Sequence, residues 1–181
     1  MALKATIFKA NLNIADIDRH YYHDHDLTIA RHPSETDERM MVRMLAFALN
    51  AHEDLAFGRG LSTEDEPDLW QMDLTGNIKL WIELGLPDER RLRKASGRAQ
   101  QVVVYNYGGR GAKLWWEQNR DKLTRVNNLK IFSLSAETSL ALAKLANRNM
   151  ALQCTIQEET VWLGNEEERI EVEIETLMGK D

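Results

Sequence analysis

The stretch Lys79–Gly85, KLWIELG, is an apolar run that carries a single carboxylate near its end, Glu83. Successive side chains along a strand point to opposite faces. We therefore expect Glu83 to lie on a mixed face, opposite an apolar face formed by Ile78, Leu80, Ile82 and Leu84. An unpaired buried carboxylate is costly, so Glu83 requires a metal ion, a basic side chain or exposure to solvent.

The composition is that of a soluble globular protein. The chain has 181 residues, of which 43% are hydrophobic and 29% are charged, and this predicts one compact domain over residues 1–181. We find no apolar run long enough for a membrane helix and no secretory signal in MALKATIFKA. The single cysteine, Cys154, excludes an internal disulfide. Together these features predict a cytoplasmic protein without membrane contact.

Charge is distributed unevenly along the chain. The net charge is −6, but residues 158–175 contain eight Glu and one Arg, so the remaining residues sum to about +1. The densest basic segment is Arg90–Arg98, directly after the strand that contains Glu83. Such a segment is ordinarily a solvated helix face, and it is also the kind of surface that contacts nucleic acid.

Periodicity and turn residues predict a mixed α/β fold. We expect an N-terminal hairpin over residues 2–14 and 18–31, then a helix capped by Ser34 that ends near residues 57–58. Two strands, residues 67–74 and 77–85, should flank a two-residue loop, Thr75-Gly76. Later elements are expected as a helix after Pro87, a strand at 101–107, a helix at 112–123, a strand at 129–135, a helix at 136–148, and antiparallel strands at 150–158, 160–164 and 169–177.

The two central strands bring carboxylates together. With a two-residue loop, paired residue numbers sum to 151, so that Asp68 faces Glu83 and Trp70 faces Trp81. Directly opposed Cβ atoms lie about 5 Å apart. Two carboxylates at that distance repel each other unless one is protonated or a cation lies between them, and Mg²⁺ is suited to such a site.

Two further residues can complete this site. Glu38 lies in the first turn of the expected helix, where it either points toward the sheet edge or remains a surface acid. Lys94, in the helix that follows Glu83, is expected near that carboxylate. Carboxylates around a metal with a lysine nearby are suited to phosphodiester hydrolysis.

Several segments resemble known proteins. The helix acid, Pro67-Asp68 and Glu83 resemble a variant PD-(D/E)xK nuclease motif. More closely, IARHPSETDERMM (29–41), EPDLW (66–70), LWIELGLPDERRLRKA (80–95) and MALQCTIQEETVWL (150–163) resemble the bacterial YaeQ family over essentially the whole chain.

This resemblance implies a restriction-endonuclease-like α-β-β-β-α-β core, with the N-terminal hairpin and the C-terminal antiparallel strands forming an additional sheet. Glu38, Asp68 and Glu83 would be the metal-binding and catalytic acids, with Mg²⁺ or Mn²⁺ as cofactor. The motif lysine is replaced by Gly85. Lys94 would take its place, or the core would be a degenerate binding relative.

Four arginines are candidate phosphate contacts: Arg31, Arg90, Arg98 and Arg110. The segment YGGRG (107–111) resembles a phosphate-binding loop weakly, and a plain turn is the simpler interpretation. The segment HYYHDHD (20–26) is rich in metal-ligand types, but His20 and His23 point to opposite faces of a strand. It is therefore interpreted as solvated.

Two main hypotheses remain from the sequence, beside a third possibility, a plain scaffold whose polar cluster only orients the helix. The first is a Mg²⁺- or Mn²⁺-dependent nuclease-like protein, and the second is a non-catalytic module that binds nucleic acid or a protein partner. The second treats the acids as a structural cluster with Lys94 and Arg98. Either would be a monomer or a weak dimer.

Overall fold

A computed structural model describes residues 4–59 and 65–179. Its helices are α1 (Asp37–Leu49), α2 (Glu89–Arg98), α3 (Arg110–Leu123) and α4 (Ala136–Ala143). Its strands are β1 (Thr6–Asp16), β2 (Tyr21–Arg31), β3 (Leu55–Phe57), β4 (Leu69–Met72), β5 (Ile78–Leu84), β6 (Ala99–Asn106), β7 (Leu129–Leu134), β8 (Asn149–Gln157), β9 (Thr160–Gly164), β10 (Arg169–Val172) and β11 (Ile174–Met178).

The strands form two mixed sheets, as the α/β and additional-sheet predictions require. The terminal sheet has the order β10-β9-β8-β1-β2, and the central sheet has the order β11-β7-β6-β5-β4-β3. β5, β6 and β7 run parallel, with α2 and α3 as crossover connections. The predicted single strand at 169–177 is wrong, because the chain leaves the terminal sheet after β10 and pairs β11 with β7.

Two hydrophobic cores lie on the two faces of the central sheet. The larger core joins that sheet to α1, α4 and the terminal sheet, and the smaller core lies beneath α2 and α3. Because α1 packs between elements on several sides, all nine residues from Met40 to Ala48 are buried, including Arg43. No helix in the described part of the chain has the length and apolarity needed to cross a membrane.

The start of α1 differs from the prediction. Thr36 caps the helix, since its side chain accepts a hydrogen bond from the Arg39 amide. Ser34 instead pairs with the ring of His32. The helix ends at Leu49, and residues 55–57 form β3, which pairs with β4. α4 also ends earlier than predicted, at Ala143.

The register of β4 and β5 is confirmed over its first three pairs. Trp70 pairs with Trp81, and the residue numbers of this pair and of the pairs on either side sum to 151. The two-residue loop is wrong, because a bulge shifts Met72 onto Ile78. Asp73 closes a longer turn by accepting hydrogen bonds from the amides of Thr75 and Asn77.

Both faces of β5 are buried over its last four residues, Trp81 to Leu84. Trp81 is 2% exposed within the α2–α3 core, and Glu83 is 5% exposed. The expected mixed face is therefore an interior face. Glu83 must be compensated inside the protein rather than by water.

Candidate functional site

The candidate site lies where parallel strands β5 and β6 end. The antiparallel strand β4 begins at this edge, so Asp68, the residue before β4, lies beside the end of β5. The Asp68 amide donates to the Ile82 carbonyl at 3.1 Å. The negative charge of Asp68 acts on Glu83 by raising its pKa, so the structure brings the two predicted acids together.

Both carboxylate oxygens of Asp68 accept hydrogen bonds from protein donors. Arg39 Nη2 lies 2.6 Å from Oδ1, and the Leu84 amide donates to Oδ2 at 2.9 Å. Asp68 is 6% exposed. These contacts attach it to α1 on one side and to the end of β5 on the other.

Glu35, which precedes the Thr36 cap, links the site to α1. It accepts a hydrogen bond of 2.7 Å from Arg39 and another of 2.7 Å from Arg43. Arg43 also donates to the Ala30 carbonyl and stacks over the ring of Phe57. Burial lowers the pKa of Arg43, and Glu35 partly offsets this effect.

Glu83 is held by two donors at one oxygen. Trp81 Nε1 lies 2.8 Å from Oε1, and Arg91 Nε of helix α2 lies 2.7 Å from the same atom. Burial raises the pKa of Glu83, and the charge of Asp68 adds to the rise, while Trp81 and Arg91 oppose it. We call the six residues Glu35, Arg39, Arg43, Asp68, Glu83 and Arg91 the carboxylate–arginine cluster.

Glu38 and Tyr107 lie on the α1 side of the cluster. Glu38 is half-buried and accepts a hydrogen bond of 3.2 Å from Ser139 of α4. Tyr107 is half-buried after the end of β6, and its pKa is raised mainly by burial. The charges of Arg39 and Glu38 both act on its hydroxyl.

The predicted lysine substitute occupies a different position. Lys94 is an exposed residue of α2, and its Nζ lies 3.5 Å from Asp65. The cation that contacts Glu83 is Arg91, one helical turn earlier. At the motif lysine position, Gly85 adopts a φ of +86°, which L-residues with side chains rarely adopt.

The four candidate arginines have distinct environments. Arg31 contacts the start of α1, because it donates a hydrogen bond to the Glu35 carbonyl and forms an ion pair with Asp37. Arg98 donates to the Asp65 carbonyl at 3.0 Å. Arg90 and Arg110 are exposed at the first turns of α2 and α3.

The cluster as arranged does not fit a divalent cation. Its three carboxylates are matched by three arginines, so it offers no excess negative charge. Three of the four carboxylate oxygens of Asp68 and Glu83 already accept protein hydrogen bonds. Within residues 4–59 and 65–179, no three His, Cys, Asp or Glu side chains are grouped to hold a metal ion.

Sequence reasoning missed the arginines of the cluster. Arg39 and Arg43 are four residues apart in α1, a spacing that places them on one face of the helix, and Glu35 precedes the Thr36 cap. An arginine at position 43 among the apolar residues 40–48 was a readable signal of a buried ion pair. The choice of Arg91 over Lys94 depends on how α2 packs and has no comparable signal in the sequence.

Comparison with known proteins then settles the family. The model of the YaeQ protein family matches residues 1–174. This chain belongs to the YaeQ family. Uncharacterized YaeQ proteins from Escherichia coli K12 and Salmonella typhi are each 48% identical over 174 residues, which is 96% of this chain and of each relative.

Solved structures of YaeQ proteins have the same fold. The crystal structure of the protein from Xanthomonas axonopodis pv. citri gives a TM-score of 0.94 at 45% identity, covering 97% of this chain and 99% of that one. The protein from Pseudomonas syringae gives 0.93 at 38% identity, covering 97% of both chains. The mixed α+β fold with two mixed sheets and four helices is therefore that of the YaeQ family.

Proposed function

We propose that this YaeQ protein is a non-catalytic nucleic-acid-binding module built on a degenerate restriction-endonuclease-like core. The observation that carries the proposal is the charge of the helical layer. Residues 88–125, which contain α2 and α3, hold ten Lys and Arg against four Asp and Glu. The net charge of this layer is therefore +6, and the net charge of the rest of the chain is −12.

The cations of this layer face solvent on one side of the central sheet. The inner faces of α2 and α3 supply Leu92, Ala95 and Trp115 to the smaller core, which directs the charged positions outward. Exposed basic residues in α2 and α3 include Arg90, Arg93, Lys94, Arg98, Arg110, Lys113, Arg120 and Lys122. A basic face of this kind binds phosphate backbones without sequence preference.

The interior of the core supports binding without cleavage. The arginines of the carboxylate–arginine cluster neutralise the acids that a nuclease would use for metal. A lysine at position 85 would have to adopt a positive φ. The cluster is instead suited to fixing α1 and α2 against the edge of the central sheet, and so to presenting the basic layer.

Binding to fluorescent DNA and RNA at increasing salt concentration tests the proposal. The double variant Arg90→Glu/Lys94→Glu is matched by Lys4→Glu/Lys9→Glu, which makes the same change in net charge on the terminal-sheet side. We expect the first double variant to weaken binding. Because two phosphate contacts are lost, the slope of the logarithm of the binding constant against the logarithm of the salt concentration should become shallower by about 1.5. The second should leave both nearly unchanged. Equal losses in the two variants, or no binding by the wild type, would refute the proposal.

Metal-dependent phosphodiester hydrolysis is the second candidate. One observation favours it, namely that Asp68 lies beside the end of β5, where its charge raises the pKa of Glu83. We would measure Mn²⁺ and Mg²⁺ binding by calorimetry for the wild type and for Glu83→Ala. If the wild type binds a metal ion and Glu83→Ala does not, this candidate is favoured. If the wild type binds neither ion, the result agrees with acids whose charge the arginines neutralise.

A further inference from the structure

We propose that the nucleic acid bound by this protein is single-stranded and that one of its bases stacks on Trp70. This inference rests on the proposed function and names its substrate class. It places the base at the border between β4 and α2.

Trp70 presents a fixed and partly open indole. It is half-buried in β4 and packs against the core beneath α2 and α3. Its ring meets that of Trp81 edge to face, with centroids 6.1 Å apart and planes at 85°. Trp81 is itself 2% exposed, so this contact holds Trp70 in one orientation while part of its ring remains open to solvent.

Cations lie near Trp81, the aromatic partner of this indole. The Arg98 guanidinium lies 5.0 Å from the centre of the Trp81 ring, so Arg98 and Trp70 both contact the same tryptophan. Lys79 lies on the same face of β5, two residues before Trp81; its side chain is 38% exposed and its Nζ lies 3.6 Å from Asp73. An aromatic pair with cations near it matches a nucleotide, whose base is flat and whose phosphate is anionic.

A partly exposed aromatic ring selects single strands because the bases of a duplex are already stacked on one another. Only an unpaired base offers its face to an indole. The remaining contacts come from the basic layer and are made to phosphate. We therefore expect a preference for single strands over duplexes, with little dependence on base sequence.

The test separates stacking from phosphate binding. Probes are an oligothymidylate and an oligouridylate of about twelve nucleotides, a site size typical of such surfaces, together with an abasic strand and a duplex of the same length. The variant is Trp70→Leu, with Trp70→Phe retaining an aromatic ring. The matched control is Trp162→Leu, because Trp162 is also half-buried and also has an arginine, Arg169, over its ring at 4.7 Å.

Trp162 lies in the acidic segment, where phosphate is repelled. We expect Trp70→Leu to weaken binding of the oligothymidylate or oligouridylate by about five- to one-hundred-fold. Binding of the abasic strand should stay unchanged, Trp70→Phe should recover most of the loss, and Trp162→Leu should have no effect. The two base-bearing strands distinguish DNA from RNA.

Different results would refute the two proposals separately. Salt-dependent binding that is equal for duplex and single strand, or that Trp70→Leu leaves intact, would overturn this inference and leave the proposed function standing. An equal loss on abasic and base-bearing strands would also overturn it, because it would indicate damage to the fold. No binding of any strand by the wild type would overturn the proposed function itself.

Discussion

Arg39 Nη2 lies 2.6 Å from Asp68 Oδ1, and this ion pair joins the first turn of α1 to the residue that precedes β4. The two side chains are 14% and 7% exposed. Their positions differ by 29 in the sequence, so the contact forms only when α1 packs against the central sheet. The same pair also removes Asp68 from the acids available to a metal.

Asp68→Asn should destabilise the protein strongly. The amide can still accept from Leu84, but the nearly buried charge of Arg39 is then left with Glu35, a carboxylate that it shares with Arg43. Removing one member of such a pair typically costs about 3–5 kcal/mol. The free energy of unfolding in urea measures the effect, with Asp121→Asn as the control.

Asp121 is 96% exposed and lies 3.8 Å from Arg120, so its substitution should change stability by less than about 0.5 kcal/mol. A comparable loss in both variants would contradict a special role for the Arg39–Asp68 pair.

Gly85→Lys, which restores the motif lysine, should destabilise the protein and confer no cleavage. The φ of +86° at this position costs a residue with a side chain about 1–2 kcal/mol. Space is not the obstacle, since an added Cβ would lie 3.9 Å from Tyr107. Denaturant unfolding and a nuclease assay with Mg²⁺ measure the two effects.

Two matched glycine substitutions test this explanation. Gly85→Asn should cost less than Gly85→Lys, because asparagine tolerates a positive φ better. Gly97→Ala, in exposed helix with open space around it, should stabilise by about 0.5–1 kcal/mol. A Gly85→Lys protein as stable as the wild type would contradict the strain argument.

Stability should depend on pH through Glu83. Its pKa is raised in the folded protein from an ordinary value of 4.5, so folding favours the protonated form. The resulting stabilisation is complete below the unfolded pKa and is lost as the pH rises through the folded pKa. The free energy of unfolding of the wild type, relative to Glu83→Gln, should therefore fall as the pH rises from the ordinary value of 4.5 through the raised folded pKa.

Exposed Glu117 provides the control. The difference in the free energy of unfolding between the wild type and Glu117→Gln should stay nearly constant over the same pH series. A rise with pH in the Glu83 comparison would mean that Arg91 and Trp81 outweigh burial, and that Glu83 is a fully charged partner of α2.

Cys154 should be unreactive in the folded protein. It is 1% exposed in β8, and burial raises the pKa of its thiol to about 12. The thiolate is the reactive form. We expect no alkylation by iodoacetamide in the native state and complete alkylation in urea, measured by mass spectrometry. Rapid labelling of the native protein would contradict this prediction.

Local pattern was sufficient for most elements and for the neighbourhood of the acids. The alternation in β5 places Glu83 opposite the apolar face, and the predicted register holds from Leu69 to Gln71 although the two-residue turn is wrong, because a bulge at Met72 compensates for the longer turn. The α/β order of the middle segment follows in the same way, whereas the additional terminal sheet, in which β1 pairs with β8, was implied by the family resemblance. The errors occur where local signals compete, as at the Ser34 and Thr36 caps and at the division of residues 169–177 between two sheets.

By itself, the sequence determined the family, the mixed α+β class, the segregation of charge and the proximity of Asp68 to Glu83. Each of these depends on residues close together in the chain or on long matching segments. Only the tertiary structure decided which cations neutralise those acids. Arg39 and Arg91 reach Asp68 and Glu83 because α1 and α2 pack on opposite faces of one sheet edge, and that packing depends on the whole core rather than on any local pattern.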